Sequence, residues 1–280
     1  MRLWLLTALA MAAFAANSLL NRYAVGMGQI DAVSFAVVRL LAGAVMLAAI
    51  VGLRGLAGGV VWAGWPGRLM GVLGLTIYLF GFSLAYTSLD AGAGALILFG
   101  AVQITMFAGA LVAGDGVPRL RWLGAGLAFA GLAVLLWPGM GIPLSLRHAG
   151  MMAVAGLGWG VYSLAGRRAG DPLAATTANF VLAVPLGIAA GFALGMMPAG
   201  LTGPGVALAV VSGAVTSGLG YALWYAVVPR LGAGRASVAQ LSVPVLTAAA
   251  GAGLLGEPMD ARLVLAGLCV LGGVAMASRA

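Results

Sequence analysis

Three aromatic side chains, Tyr78, Phe82 and Tyr86, recur at i, i+4 and i+8, and Ser217, Tyr221 and Tyr225 repeat that spacing further along the chain. Residues four apart share one face of a helix. Both stripes lie in long uncharged stretches, where hydrocarbon offers a tyrosine hydroxyl no partner, so the faces point inward toward a cavity or another helix. Helix packing with interhelical hydrogen bonds and contact with a ligand are both open to them. Phe99, Gln103 and Phe107 keep the same period, and Ser237, Gln240, Ser242, Pro244 and Thr247 form a second polar segment. Gln103 and Gln240 carry amides that need partners inside apolar sequence. Pro244 has no backbone N–H, which frees the carbonyl of Gln240 one turn earlier. Broken helices of this kind line ligand sites in membrane proteins. Asn17 with Ser18, and Trp159 with Tyr162 and Ser163, supply further polar and aromatic groups. The candidate contacts to a small molecule are therefore Asn17, Tyr78, Phe82, Tyr86, Phe99, Gln103, Trp159, Tyr162, Ser163, Ser217, Tyr221, Tyr225, Gln240 and Ser242. A lining of aromatics and amides suits a molecule whose own charges cancel.

Bond-making chemistry has no comparable set. It needs paired carboxylates, a nucleophile with its base, or a metal. Asp90, Asp115, Asp171, Glu257 and Asp260 fall at helix ends or in loops, and Asp31 opens the second apolar stretch, positions that suit capping or turns. The one His, His148, stands at a helix start, and the one Cys, Cys269, excludes an intrachain disulfide. No catalytic residue, metal or cofactor is expected. Arg39 is the exception among the charges. With a helix starting at Ala32 it lies about 12 Å inside the membrane boundary at about 1.5 Å per residue. There an unpaired Arg costs at least about 2.5 to 3.5 kcal/mol, so it faces protein or water. It is either a structural cation on helix-end carbonyls or a contact for an anion or carboxylate.

The elements that position these residues follow from composition. The chain has 280 residues, 63% apolar and 7% charged, against roughly half and a quarter in a soluble domain. Its solvent is lipid. The net charge of +8 comes from 14 Arg. Single Arg scattered through short loops orient a membrane protein, so no nucleic-acid partner is expected. Apolar runs cover 3–21, 32–53 with Arg39 inside, 69–89, 91–114, 122–146, 149–166, 172–229, 236–256 and 263–278. The long run breaks within 196–205, where Pro198, Pro204 and three Gly suit a turn. Ten membrane helices result. The first is too long for a cleaved leader and reads as a retained span. With both termini on the cytoplasmic side, inner segments hold nine Arg and outer ones four, which favours that orientation. Trp4, Trp62, Trp65, Trp122 and Trp137 near helix ends suit an aromatic belt.

Displaced by about 140 residues, the chain aligns with itself. Asp31 falls on Asp171, Arg39 on Asn179, Tyr86 on Tyr225, Gly92-Ala93-Gly94 on Gly232-Ala233-Gly234, and Gly116-Val117-Pro118 on Gly256-Glu257-Pro258. Each half, 1–140 and 141–280, holds five helices. Because five is odd, the second copy enters the membrane from the opposite face.

The segment Tyr221-Ala222-Leu223-Trp224-Tyr225-Ala226, continuing through Arg235-Ala236-Ser237 and Pro244 to Leu254-Leu255-Gly256-Glu257-Pro258, then Gly267 and Gly272-Gly273, resembles the second EamA-type repeat of the drug/metabolite transporter superfamily. Arg39, and Trp159 with Tyr162, stand where that pattern has Arg and Trp. The first half departs from it, with Gly114-Asp115-Gly116-Val117-Pro118 in place of the Gly-Glu signature. The resemblance implies an all-α polytopic membrane protein of ten helices in two inverted halves, exporting small metabolites. The branch it suggests is the aromatic amino acid exporters (the YddG type). Joined to the lining, it leads to the expectation of an inner-membrane secondary transporter for amino acids, working by alternating access. Facilitated diffusion or exchange is the expected mode, since no Asp or Glu falls in the hydrocarbon midzone. A passive channel and a membrane-embedded enzyme are the rival classes.

Overall fold

The computed structural model describes residues 2–56, 67–112, 118–137, 144–166, 169–193, 201–231, 236 and 239–277. Trp62, Trp65, Asp115, Arg167, Arg168, Arg235, Ser237, Arg279, the Gly232-Ala233-Gly234 triplet and residues 196–200 of the expected break lie outside the described residues. The described residues form ten helices and no strands: α1 Arg2–Gly26, α2 Ala32–Leu56, α3 Arg68–Ala85, α4 Ala91–Val112, α5 Arg119–Leu136, α6 Leu146–Gly166, α7 Pro172–Ala193, α8 Gly203–Leu231, α9 Ser242–Leu255 and α10 Ala261–Ala277. Helices α1 to α8 are each long and apolar enough to cross a membrane, and α9 and α10 are shorter apolar helices.

Helix starts follow the sequence. Asp31 caps α2, its Oδ1 accepting from the N–H of Val33 at 3.1 Å and Ser34 at 2.9 Å, and Asp171 caps α7 through Leu173 and Ala174, both at 3.1 Å. Asp260 caps α10 through Leu263 N–H at 2.7 Å, and Thr202 caps α8 through Gly205 N–H at 3.1 Å. Each cap satisfies donors that the helix leaves open in its first turn. The run expected to span 236–256 is interrupted: the chain turns at Leu241 and α9 restarts at Ser242. Pro244 sits in the first turn of the new helix, where its missing N–H costs nothing.

Large apolar side chains stand outward all round the bundle, among them Trp4, Leu9, Val45, Leu53, Phe129, Phe192 and Leu268. A surface of that kind is stable against lipid chains, not water. Inside, α3 packs on α6, α5 on α10, α4 on α6 and α9, α2 on α7 and α8, and α1 on α8 and α9. The crossing of α3 and α6 is close. A Cβ on Gly158 would stand 2.7 Å from the carbonyl oxygen of Gly74 and 2.8 Å from the nitrogen of Tyr78. Only glycine lets the two backbones meet there, and the contact sets Tyr78 against Trp159.

Candidate functional site

Helices α1, α3, α4, α6, α8 and α9 enclose a cavity of about 40 Å³. Its wall holds Phe14, Asn17 and Ser18 from α1, Tyr78 and Phe82 from α3, Leu98, Phe99 and Val102 from α4, and Trp159 from α6. Thr216, Ser217 and Tyr221 from α8 complete it, with Gln240 and Val243 at the α9 restart. The volume is far below the roughly 300 to 1,000 Å³ of a ligand pocket, so admitting an organic molecule requires the walls to part.

The aromatic side of the wall is continuous. Trp159 lies 4.8 Å from Tyr78, 5.2 Å from Tyr162 and 5.4 Å from Tyr221 between ring centroids, the last pair stacked at 29°. Phe82 bridges Tyr78 at 5.3 Å and Tyr86 at 4.7 Å. The polar side is built on Asn17, whose Oδ1 accepts from Ser212 Oγ at 2.7 Å and Thr216 Oγ1 at 3.1 Å. Its Nδ2 points at Tyr78 OH, 3.5 Å away.

Arg39 is wholly buried behind this wall. Its Nη2 donates to Tyr78 OH at 2.9 Å and its Nε to Ser217 Oγ at 3.2 Å, while the guanidinium carbon lies 5.2 Å from the Tyr78 ring centroid and 5.1 Å from that of Phe82. Cation–π contact with two rings offsets part of its desolvation. The third nitrogen, Nη1, has no hydrogen-bond partner among the described residues. Of the two readings open for Arg39, helix-end carbonyls do not account for its bonds, which go to two hydroxyls.

Helix α8 changes form where it meets Arg39. Residues Ser212–Leu219 are π-helical, between α-helical turns on either side. Thr216 Oγ1 donates to the carbonyl of Ser212 at 2.8 Å, a side-chain bond that competes with the α-helical ladder. Gly213 presses on the carbonyl oxygen of Arg39, where a Cβ would overlap it. Within one wide turn Ser212, Thr216 and Ser217 are all buried, and they reach Asn17 and Arg39.

The residues singled out from the sequence divide accordingly. Asn17, Tyr78, Phe82, Phe99, Trp159, Ser217, Tyr221 and Gln240 stand on the wall. The others do not. Tyr86, at the end of α3, is buried beside Phe82 with its hydroxyl on the Ala91 carbonyl at 3.3 Å. Tyr162 and Tyr225 meet through Thr176, at 2.6 and 3.1 Å from its hydroxyl, about one turn along their helices from the cavity residues Trp159 and Tyr221. Ser163 and Ser242 donate to local carbonyls, Trp159 at 2.7 Å and Ala239 at 2.7 Å. Gln103 is half-buried and off the wall. Sequence reasoning missed Phe14, Leu98, Val102, Thr216 and Val243. The i, i+3 relation of Phe14 to Asn17 was a usable signal, whereas Thr216 depends on the π turn.

The EamA-like transporter family pattern matches residues 147–279. The uncharacterized protein PA1977 of Pseudomonas aeruginosa is 48% identical over 276 residues, 98% of this chain and 94% of that one. The chain belongs to the EamA-like transporter family. A crystal structure of a protein 19% identical to it superposes with a TM-score of 0.67, covering 97% of each chain, which is a likeness of fold. Family and helices together make this a multi-pass membrane protein.

In this EamA-like transporter the Glu of the Gly-Glu-Pro segment does not cap its own helix. Glu257 Oε1 accepts from Arg22 Nε at 2.9 Å and its Oε2 from the Ala91 N–H at 2.8 Å, at the start of α4. Arg22 Nη2 also pairs with Asp90 Oδ1 at 3.2 Å. Burial pushes the Glu257 carboxyl above the usual carboxylate range, against the opposing pull of Arg22. At the opposite end Arg54 pairs with Asp171 at 2.9 Å, and Arg68 Nη1 donates to the Ala175 carbonyl at 2.7 Å and Asn179 Oδ1 at 2.9 Å. Both ends are therefore tied by charges while the middle is not.

Proposed function

We propose that the protein is an inner-membrane secondary transporter that exports small metabolites, amino acids with aromatic or neutral side chains above all, by alternating access. The observation that carries this reading is the central cavity: six helices contribute to it, three from each half of the chain, and its described wall holds aromatics, hydroxyls and amides but no carboxylate.

The two halves, 1–140 and 141–280, are inverted repeats. The packing supports this. Moving each helix five places along the chain exchanges α3 on α6 with α8 on α1, α4 on α6 with α9 on α1, and α2 on α8 with α7 on α3. The pairs α2 with α7, α4 with α9 and α5 with α10 map onto themselves. The caps agree, since Asp31 and Asp171 occupy matching positions and accept from the second and third residues after themselves. Both termini lie in the cytoplasm, so the Arg22–Glu257 end faces outward. With the outer end tied and the cavity small, alternation consists of parting one charged end while the other stays closed. Transport runs down the substrate's own gradient or by exchange.

The test is a panel of radiolabelled amino acids offered to liposomes containing the purified protein. Saturable uptake of at least one aromatic or neutral amino acid, absent from protein-free liposomes, supports the reading. Uptake of none overturns it.

A further inference from the structure

Arg39 is a cation buried in the bundle with no counter-ion among the described residues. The described acids are committed elsewhere: Asp90 and Glu257 to Arg22, Asp171 to Arg54, and Asp31 and Asp260 to helix caps. Its Nη1 has no hydrogen-bond partner among the described residues. An uncompensated charge at this depth is costly and marks a site.

The hydrogen bonds around it fix which groups are left to donate. A guanidinium only donates. Tyr78 OH and Ser217 Oγ therefore accept from Arg39, and each keeps its own proton. Neither hydroxyl has an acceptor for that proton among the described residues, and Asn17 Nδ2 approaches Tyr78 OH as another donor. Tyr78 and Ser217 both line the cavity. Two O–H donors polarised by one cation, in a cavity with no described carboxylate, are matched to an anion with two acceptor oxygens.

We infer that the cavity holds a carboxylate, with Tyr78 OH and Ser217 Oγ donating to its oxygens and Arg39 supplying the counter-charge from behind them. The rest of the ligand lies against Phe82, Trp159 and Tyr221, whose rings form the neighbouring wall. The substrate class is thus a small carboxylic acid with an apolar or aromatic body, and an amine or amide lacking the carboxylate is excluded. The inference rests on the transporter reading of this cavity and narrows it.

Binding is measured apart from flux, by thermal unfolding of the detergent-purified protein with L-phenylalanine and with L-phenylalaninamide, which differ only at the carboxyl group. Ionic strength is held constant with sodium chloride. L-Phenylalanine raises the midpoint and the amide does not. In Tyr78→Phe with Ser217→Ala the apparent affinity for L-phenylalanine falls roughly tenfold or more, the scale of hydrogen bonds to a charged group. Arg39→Lys retains part of the effect and Arg39→Gln loses it; where the Arg39 variants do not fold, the hydroxyl pair carries the test. Equal stabilisation by the amide, affinity unchanged in the hydroxyl pair, or no stabilisation by L-phenylalanine overturns the inference. Carboxylate binding with no flux leaves the site standing and refutes the transporter reading, and flux of acid and amide alike does the reverse.

Discussion

Arg22 and Glu257, 235 positions apart in the chain, are joined from Nε to Oε1 at 2.9 Å. Through its second oxygen the same carboxylate holds the first N–H of α4 at 2.8 Å. One side chain from the second half of the sequence thus fastens the end of α1 to the start of α4. For an alternating carrier this is the contact that has to break when that end opens.

The Glu257 carboxyl gives this contact a pH signature. Its folded pKa is raised by burial, so the folded state holds a proton that the unfolded state gives up. The group's contribution to stability is fully present below the usual carboxylate range and is lost as pH rises through the raised value. Lowering the pH from neutral toward that range should raise the wild-type unfolding midpoint relative to Glu257→Gln, as read by thermal unfolding in detergent. Parallel pH profiles for the two proteins would contradict it.

Aromatic substitutions on the wall should separate site from scaffold. Tyr78→Ala, Trp159→Ala and Tyr221→Ala each remove ring contacts of about 0.5 to 1.5 kcal/mol beyond burial, and should lower transport by roughly two- to tenfold or more. Gly126→Ala, where a Cβ meets nothing within 4 Å, should leave it unchanged at equal expression. Equal behaviour of all four would contradict the placement of the site.

The α3–α6 crossing should tolerate little added bulk. Gly158→Val forces side-chain atoms into the Gly74 carbonyl and should cost about 1 to 3 kcal/mol, seen as a lower unfolding midpoint. Gly253→Val, with nothing within 4 Å, is the control and should be close to neutral.

Ten helices were legible because charge-free runs of spanning length leave few alternatives, and Asp31, Asp171 and Asp260 mark helix starts by a local bond that sequence alone encodes. The aromatic stripes found the wall where they were near the bundle centre, at Tyr78, Phe82 and Tyr221. They overran it at Tyr86 and Tyr225, because a helical face extends further than the cavity it meets. The π turn was not legible, since it depends on Thr216 meeting the Ser212 carbonyl while α2 presses on Gly213. Nor was the role of Glu257, whose partners Arg22 and Ala91 are remote in sequence and meet only in the folded bundle.

The proposed orientation rests on the Arg asymmetry. A reporter fused after Ala280 that is active only in the periplasm should stay silent, and one active only in the cytoplasm should be active. The opposite pattern would reverse the assignment of the Arg22–Glu257 end as outer.

Energy coupling is expected to be absent. The described acids lie at helix ends, so proteoliposomes with equal substrate on both sides should show no net accumulation when a pH gradient is imposed. Concentrative movement that collapses with a protonophore would contradict this and implicate Asp31, Asp90 or Glu257.

The most direct measurement is counterflow. Liposomes containing the protein are loaded with unlabelled L-phenylalanine and diluted into a trace of labelled L-phenylalanine. A carrier that exposes its site to one side at a time carries label inward faster than it returns, so label rises transiently above its equilibrium level and then declines, and Trp159→Ala should reduce that peak. A monotonic approach to equilibrium without a peak, with wild-type protein that does conduct the label, would contradict alternating access and show a channel.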